Sequence, residues 1–148
     1  MSGTAPPAGS HPGVGTLPGM STLCELAGGP DALHRLAHAF YARVFADPVL
    51  LPLFHEPGAD HHADRLGMWL VELCGGPPEH TTHRGGFVVM RESHRNLRIS
   101  EAQRQRWVQL MDESAEALGL PEEFRRRFRP FLDGGSTFAL RVSHPGAA

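Results

Sequence analysis

The chain has 148 residues, enough for one domain with a substantial core, and its 41% hydrophobic and 20% charged residues are ordinary for a globular protein. A net charge of −2 predicts no attraction to nucleic acid or to an anionic membrane surface, and no apolar run approaches the roughly 20 residues of a membrane span. Cys24 and Cys74 lack any CxxC or CxxCH motif, which together with the absence of a recognisable signal peptide predicts free thiols in a cytoplasmic protein.

The first part of the chain predicts a tail and two helices. Residues 1–20 are mainly Gly, Pro, Ser and Ala, so we expect a disordered tail ahead of one domain at 21–145. A short helix over 22–27 ends at Gly28 and Gly29, because glycine readily adopts left-handed dihedral angles. A second helix over 30–46 ends at Asp47-Pro48. Its apolar residues share one face: Leu33, Leu36, Ala37, Phe40, Tyr41, Val44 and Phe45.

A third helix, over 59–74, follows a single turn of helix at 49–54 and is the most informative one. It places a histidine within an apolar stripe, which consists of His62, Leu66, Trp69, Leu70 and Leu73. The sequence Gly75-Gly76-Pro77-Pro78 ends this helix. Residues 79–90 have no clear period and contain Gly85-Gly86, so we expect a long loop there.

Three helices complete an all-α prediction. A short one over 89–96 carries His94, and Ser100 with Gln103 forms a capping-box pattern for a long helix reaching 118. The last helix, over 122–143, contains Pro130 and Gly134-Gly135, which should kink or split it. No run with a period of two indicates a β-strand.

Ten histidines justify a search for a metal or haem site. Tyr41, His62 and Trp107 lie on the inner faces of three helices, which is more polarity than a plain core tolerates without partners. Each side chain taken singly is a typical core residue. Our interpretation is that His62 and His94 face one flat cofactor, a haem, from opposite sides.

The order and spacing of these residues resemble the truncated haemoglobins, particularly those of group II. The features that carry the resemblance span about 21–145: Gly28-Gly29, Phe40-Tyr41, Phe54, Arg65-Leu66, Trp69, Gly75-Gly76-Pro77, His94 and Trp107. The resemblance implies a two-over-two helical sandwich around a b-type haem, with His94 as the proximal iron ligand and a loop replacing most of the helix before it. Phe54 would pack on the porphyrin and Arg65 would bind a propionate.

The remaining implied contacts lie on both sides of the haem. Tyr41, His62 and Trp107 would bind the diatomic ligand, with Leu66 and Trp69 beside them and Met90 near His94 as further cofactor contacts. The sequence departs from the group at His62, where a small residue is common, and at Phe54, where tyrosine is common. We expect His34, His38, His55 and His61 to be exposed, and we consider His80 and His83 as further propionate contacts.

Three functional hypotheses follow. The first is a globin that reversibly binds dioxygen or another diatomic ligand at pentacoordinate haem iron. The second is a haem enzyme, a nitric oxide dioxygenase or a peroxidase-like protein, which needs an external reductase. The third is a non-haem helical metalloprotein that uses His61, His62, Asp64 and Cys74. Adjacent helical residues point about 100° apart, so the spacing disfavours this third hypothesis.

Overall fold

The computed structural model describes residues 21–54 and 58–146, so the predicted tail and His55 lie outside the described residues. In the described part, the chain forms seven α-helices and no strand, which confirms the all-α prediction. The helices are α1 (Leu23–Ala27), α2 (Pro30–Val44), α3 (Ala59–Leu73), α4 (Glu79–Arg84), α5 (Gly86–Ser93), α6 (Glu101–Ala117) and α7 (Glu122–Val142). A 3-10 turn lies at Leu51–Leu53.

Two helix pairs build the sandwich. Helix α2 packs along α3, α6 packs along α7, and a contact between α2 and α6 joins the pairs, as the two-over-two architecture requires. The shared core is apolar and contains large side chains from all four helices: Leu33, Leu36, Phe40, Leu70, Val71, Leu110, Met111, Phe124 and Phe128. Burial of these side chains is the main force that holds the pairs together. None of the helices in the described part is both long and apolar enough to cross a lipid bilayer.

Local sequence signals account for several helix ends. Both Thr22 and Ser100 form complete capping boxes, with Glu25 and Gln103 respectively, and the second of these was predicted. Gly28 has a φ of 108° and ends α1 in the left-handed conformation, as the sequence indicates. Asp47 follows α2 and accepts hydrogen bonds from the backbone of the next turn and from Arg106 of α6.

The predicted long loop at residues 79–90 is wrong. That segment forms α4 and α5, which are separated by Gly85 with a φ of 95°. Helices of six and eight residues are too short to show a clear period in the sequence. Helix α5 also begins and ends earlier than predicted, since the chain leaves it at His94 and Asn96 adopts a φ of 67°.

Helix α7 is not split at Pro130 or at its two glycines. It runs unbroken from Glu122 to Val142. Phe124, Phe128 and Leu132 are buried on its inner face and hold both sides of Pro130 against the core. Tertiary packing therefore outweighs the local preference for a break.

Candidate functional site

His94 lies directly after α5, and its side chain is fixed by a hydrogen bond to the preceding turn. The Nδ1 atom is 2.8 Å from the carbonyl oxygen of Met90, and Ser93 Oγ donates to the same oxygen at 2.6 Å. A carbonyl oxygen only accepts, so the proton of the neutral ring must be on Nδ1. The lone pair is consequently on Nε2, which is the protonation state that a metal ligand requires.

Burial of the His94 ring lowers its pKa, although the hydrogen bond to the Met90 carbonyl acts in the opposite direction. The neutral imidazole is therefore favoured at neutral pH. Met90 itself is half-buried one turn before His94. The sequence analysis proposed site roles for both residues, but the hydrogen bond to the Met90 backbone oxygen is seen only in the structure.

A second group of side chains forms an aromatic cluster, consisting of Tyr41, Phe45, Phe54 and His62. The ring of His62 is stacked on Tyr41 with centroids 5.6 Å apart, and Phe54 meets it edge-on at 5.1 Å. Phe45 completes the cluster at 5.8 Å from His62 and 5.5 Å from Phe54. The structure thus brings three predicted site residues together. Phe45 was assigned only to the core, although its position four residues after Tyr41 places it on the same helix face.

Trp107 joins this cluster through a shared core residue. The buried ring of Phe40 lies edge-on to Tyr41 at 5.1 Å and edge-on to Trp107 at 5.3 Å. Trp107 and Tyr41 are both half-buried against the core. The Tyr41 hydroxyl and the Trp107 indole N–H therefore belong to rings that pack on Phe40 at the boundary of the core.

The polar groups of the cluster have defined protonation states. Burial raises the pKa of Tyr41 far above its ordinary value, so the phenol keeps its proton and can donate a hydrogen bond. The Arg65 guanidinium lies 3.2 Å from His62 Nδ1. Because arginine only donates, His62 Nδ1 is the acceptor, and the proton of its neutral ring is on Nε2.

The other predicted contacts lie on α3 and α4. Leu66 is half-buried against the core, and Trp69 meets the ring of His80 edge-on at 5.3 Å. His80 is buried, its pKa is lowered by burial, and its Nδ1 has no hydrogen-bond partner among the described residues. His83, in contrast, is exposed on the same helix.

The predictions for the other histidines have mixed outcomes. His38 and His61 are exposed as expected. His34 is half-buried, contrary to expectation, because its ring packs on Gly67 of α3 and its Nε2 lies 2.7 Å from Glu79 Oε1. Among the described residues, no group of three His, Cys, Asp or Glu side chains is arranged to hold a metal ion, which contradicts the non-haem hypothesis.

Two helix pairs with a histidine at the end of α5 and an aromatic cluster between α2 and α3 define a globin of the shortened, two-over-two class. The chain belongs to the bacterial-like globin family, whose model matches residues 22–135. Group 2 truncated hemoglobin YjbI of Bacillus subtilis is 29% identical over 97 residues, which are 66% of this chain and 72% of that protein.

Solved structures agree with this assignment. The thermostable haemoglobin of Thermobifida fusca is 31% identical, with a TM-score of 0.74 over 84% of this chain and 100% of that one. The group II truncated haemoglobin of Bacillus anthracis, at 21% identity, has a TM-score of 0.75 over 85% of this chain and 95% of its own, which supports the fold. The resemblance to group II truncated haemoglobins is therefore confirmed. Membership of the globin family implies haem binding and diatomic gases as ligands.

Proposed function

We propose that the protein binds a b-type haem through His94 and reversibly binds dioxygen or another diatomic ligand on the opposite face. The observation that carries the proposal is the 2.8 Å contact between His94 Nδ1 and the Met90 carbonyl oxygen. It orients a neutral imidazole with its Nε2 lone pair available for iron, as proximal ligands need. The half-buried Met90 side chain would contact the same face of the haem.

The chain supplies three hydrogen-bond donors for the ligand side. These are the Tyr41 hydroxyl, the Trp107 indole N–H and His62 Nε2–H, whose proton is placed by Arg65. When bound, the haem iron would supply an open coordination position for the diatomic ligand. A donor that reaches partial negative charge on that ligand contributes about 1–3 kcal/mol and slows its escape.

The apolar members of the site would hold the macrocycle and exclude water. Phe54, Leu66 and Trp69 are half-buried apolar side chains with surface left for a flat partner. Arg65 is half-buried beside them, and its guanidinium would pair with a propionate, since arginine binds carboxylates through two parallel hydrogen bonds. The side chains present therefore fit a haem.

Reconstitution with haemin tests the proposal. The purified protein should develop an intense Soret band that shifts when carbon monoxide is added to the reduced form, and the reduced protein without ligand should be five-coordinate. His94→Gly should lose this spectrum and recover it with added imidazole. The matched control is His38→Gly, which removes an exposed histidine of α2 and should leave the spectrum unchanged.

Two results would overturn the proposal. A protein that stays colourless with excess haemin does not bind the cofactor. A His94→Gly variant with the unaltered wild-type spectrum would place the iron ligand on another residue.

A further inference from the structure

The position of His94 depends on a short chain of helix contacts. Helix α5, which ends at His94, packs mainly against α4, and α4 in turn packs against α3. Helix α3 also carries His62 on its inner face. The attachment of α4 to α3 is therefore one of the contacts that place His94. Others are the ring contact of Phe87 with Phe138 of α7 and the hydrogen bond from the Arg98 N–H to the Ser143 carbonyl oxygen.

A buried carboxylate makes that attachment. Glu72 of α3 is only 5% exposed, and each of its two oxygens accepts a hydrogen bond from Thr81 of α4. The Thr81 backbone N–H donates to Oε1 at 2.8 Å, and the Thr81 hydroxyl donates to Oε2 at 2.6 Å. These two hydrogen bonds offset part of the cost of burying the polar carboxyl group.

Thr81 also touches the beginning of α5. Gly86 is buried, and a Cβ placed on it would lie 2.9 Å from Thr81 Oγ1. Its φ of 74° is in the left-handed region, which favours glycine. The Thr81 hydroxyl of α4 therefore makes two contacts. It donates a hydrogen bond to Glu72 of α3, and it lies against Gly86, the first residue of α5.

Two further contacts hold the same helix. His34 Nε2 of α2 lies 2.7 Å from Glu79 Oε1 at the beginning of α4, and the His80 ring packs edge-on against Trp69 of α3. Thr81 differs from these two residues in that the structure shows it in contact with both α3 and α5.

We propose that Glu72 and Thr81 form a clamp that positions His94 and thereby regulates how firmly it holds its iron. Both are positioning residues, since they act on the cofactor through α4 and α5. The effect of the clamp on how firmly iron is held rests on the proposed function. Its effect on the stability of the segment 79–94 does not, because that can be measured in the haem-free chain.

The haem-loaded protein tests the effect on the iron. Thr81→Val removes the hydroxyl at nearly constant size, and Thr81→Ser retains it. Glu72→Gln replaces one accepting oxygen with an NH2 group, which cannot accept a hydrogen bond. We expect haem transfer to an acceptor apoprotein to become about tenfold faster in the Val and Gln variants, as loss of a supporting hydrogen bond does in metal sites. The iron–histidine stretching frequency should shift in both and stay at the wild-type value in Thr81→Ser. The control is Thr82→Val, at an exposed threonine of the same helix.

Amide hydrogen exchange on the haem-free protein tests the clamp independently. Exchange over 79–94 should rise in Thr81→Val and Glu72→Gln, while exchange in α6 and in the Thr82→Val control stays unchanged. If the wild type takes up no haem, the proposed function fails and this measurement still decides the clamp. If the wild type binds haem but exchange, haem transfer and stretching frequency are unaltered in Thr81→Val, the clamp is wrong. Equal acceleration of exchange in α6 would also contradict it, because the role would then be general stability.

Discussion

The Arg65 guanidinium donates a hydrogen bond to Nδ1 of His62 over 3.2 Å. The two residues lie three positions apart in α3, so this bond spans one helical turn. It assigns the proton of the neutral His62 ring to Nε2. This nitrogen can therefore donate a hydrogen bond, but it has no lone pair with which to bind iron. Arg65 is thus a candidate both for holding a propionate and for determining what His62 does.

Removing this arginine should change the coordination state of the haem-loaded protein. Arg65→Ala removes the guanidinium donor to Nδ1, so the His62 proton can move to that nitrogen. We then expect a larger six-coordinate, low-spin fraction in the reduced form without ligand. Absorption spectroscopy measures that fraction. The charge-matched control is Arg126→Ala, at an exposed arginine of α7. A five-coordinate spectrum in Arg65→Ala would show that another feature keeps His62 off the iron.

The Tyr41 hydroxyl should slow ligand escape without contributing much to ring packing. Tyr41→Phe retains the stacking on His62 and the edge contact with Phe54 at 5.5 Å. Loss of a donor to partial charge costs about 1–3 kcal/mol, so dioxygen should dissociate roughly 5- to 150-fold faster. Stopped-flow displacement by carbon monoxide measures this rate. An unchanged rate would leave Trp107 or His62 as the main donor, which Trp107→Phe tests in the same assay.

The ion pair between buried Asp47 and half-buried Arg106 should contribute to stability in a pH-dependent way. Burial raises the pKa of Asp47, but the hydrogen bonds from Arg106, Leu50 and Val49 outweigh it and hold the pKa below its ordinary 3.8. The stabilisation is therefore fully present above pH 3.8 and is lost as the pH falls through the lower folded-state pKa. Asp47→Asn should lower the free energy of unfolding by about 1–3 kcal/mol at pH 7.

Denaturant unfolding at several pH values checks this sign. The difference between wild type and Asp47→Asn should be constant near neutrality and shrink in acid below the ordinary pKa. A difference that grows with acidity would contradict the assignment of Asp47 as the ionised partner of Arg106.

Gly67 should tolerate no side chain, because α2 and α3 approach closely there. A Cβ on Gly67 would collide with the His34 ring, 2.9 Å from its Cε1 atom and nearer still to Nδ1. Gly67→Ala should therefore destabilise the fold by about 1–3 kcal/mol through overpacking. Gly134→Ala is the matched control: no described atom lies within 4 Å of its Cβ position, so higher helix propensity should stabilise α7 by up to about 1 kcal/mol. Thermal unfolding distinguishes the two variants, and a neutral Gly67→Ala would mean that His34 rotates away.

The sequence by itself was sufficient for the elements that carry their own local signal. Helices with a long apolar face, such as α2 and α3, and capped ends, such as that at Ser100, are specified by residues that are close in the chain. The spacing of Tyr41, His62 and Trp107 likewise placed them on inner faces, and the resemblance to group II truncated haemoglobins followed from the order of such residues.

Tertiary structure decided the features that depend on distant partners. Helices α4 and α5 are too short to show a period in the sequence, and α4 is held by Glu72 of the preceding helix and by His34, which lies 45 residues before its partner Glu79. The unbroken α7 depends on core packing on both sides of Pro130. The protonation states of His62 and His94 depend on which atom lies within hydrogen-bond distance of each ring nitrogen. The pattern of residues in the sequence does not determine such distances.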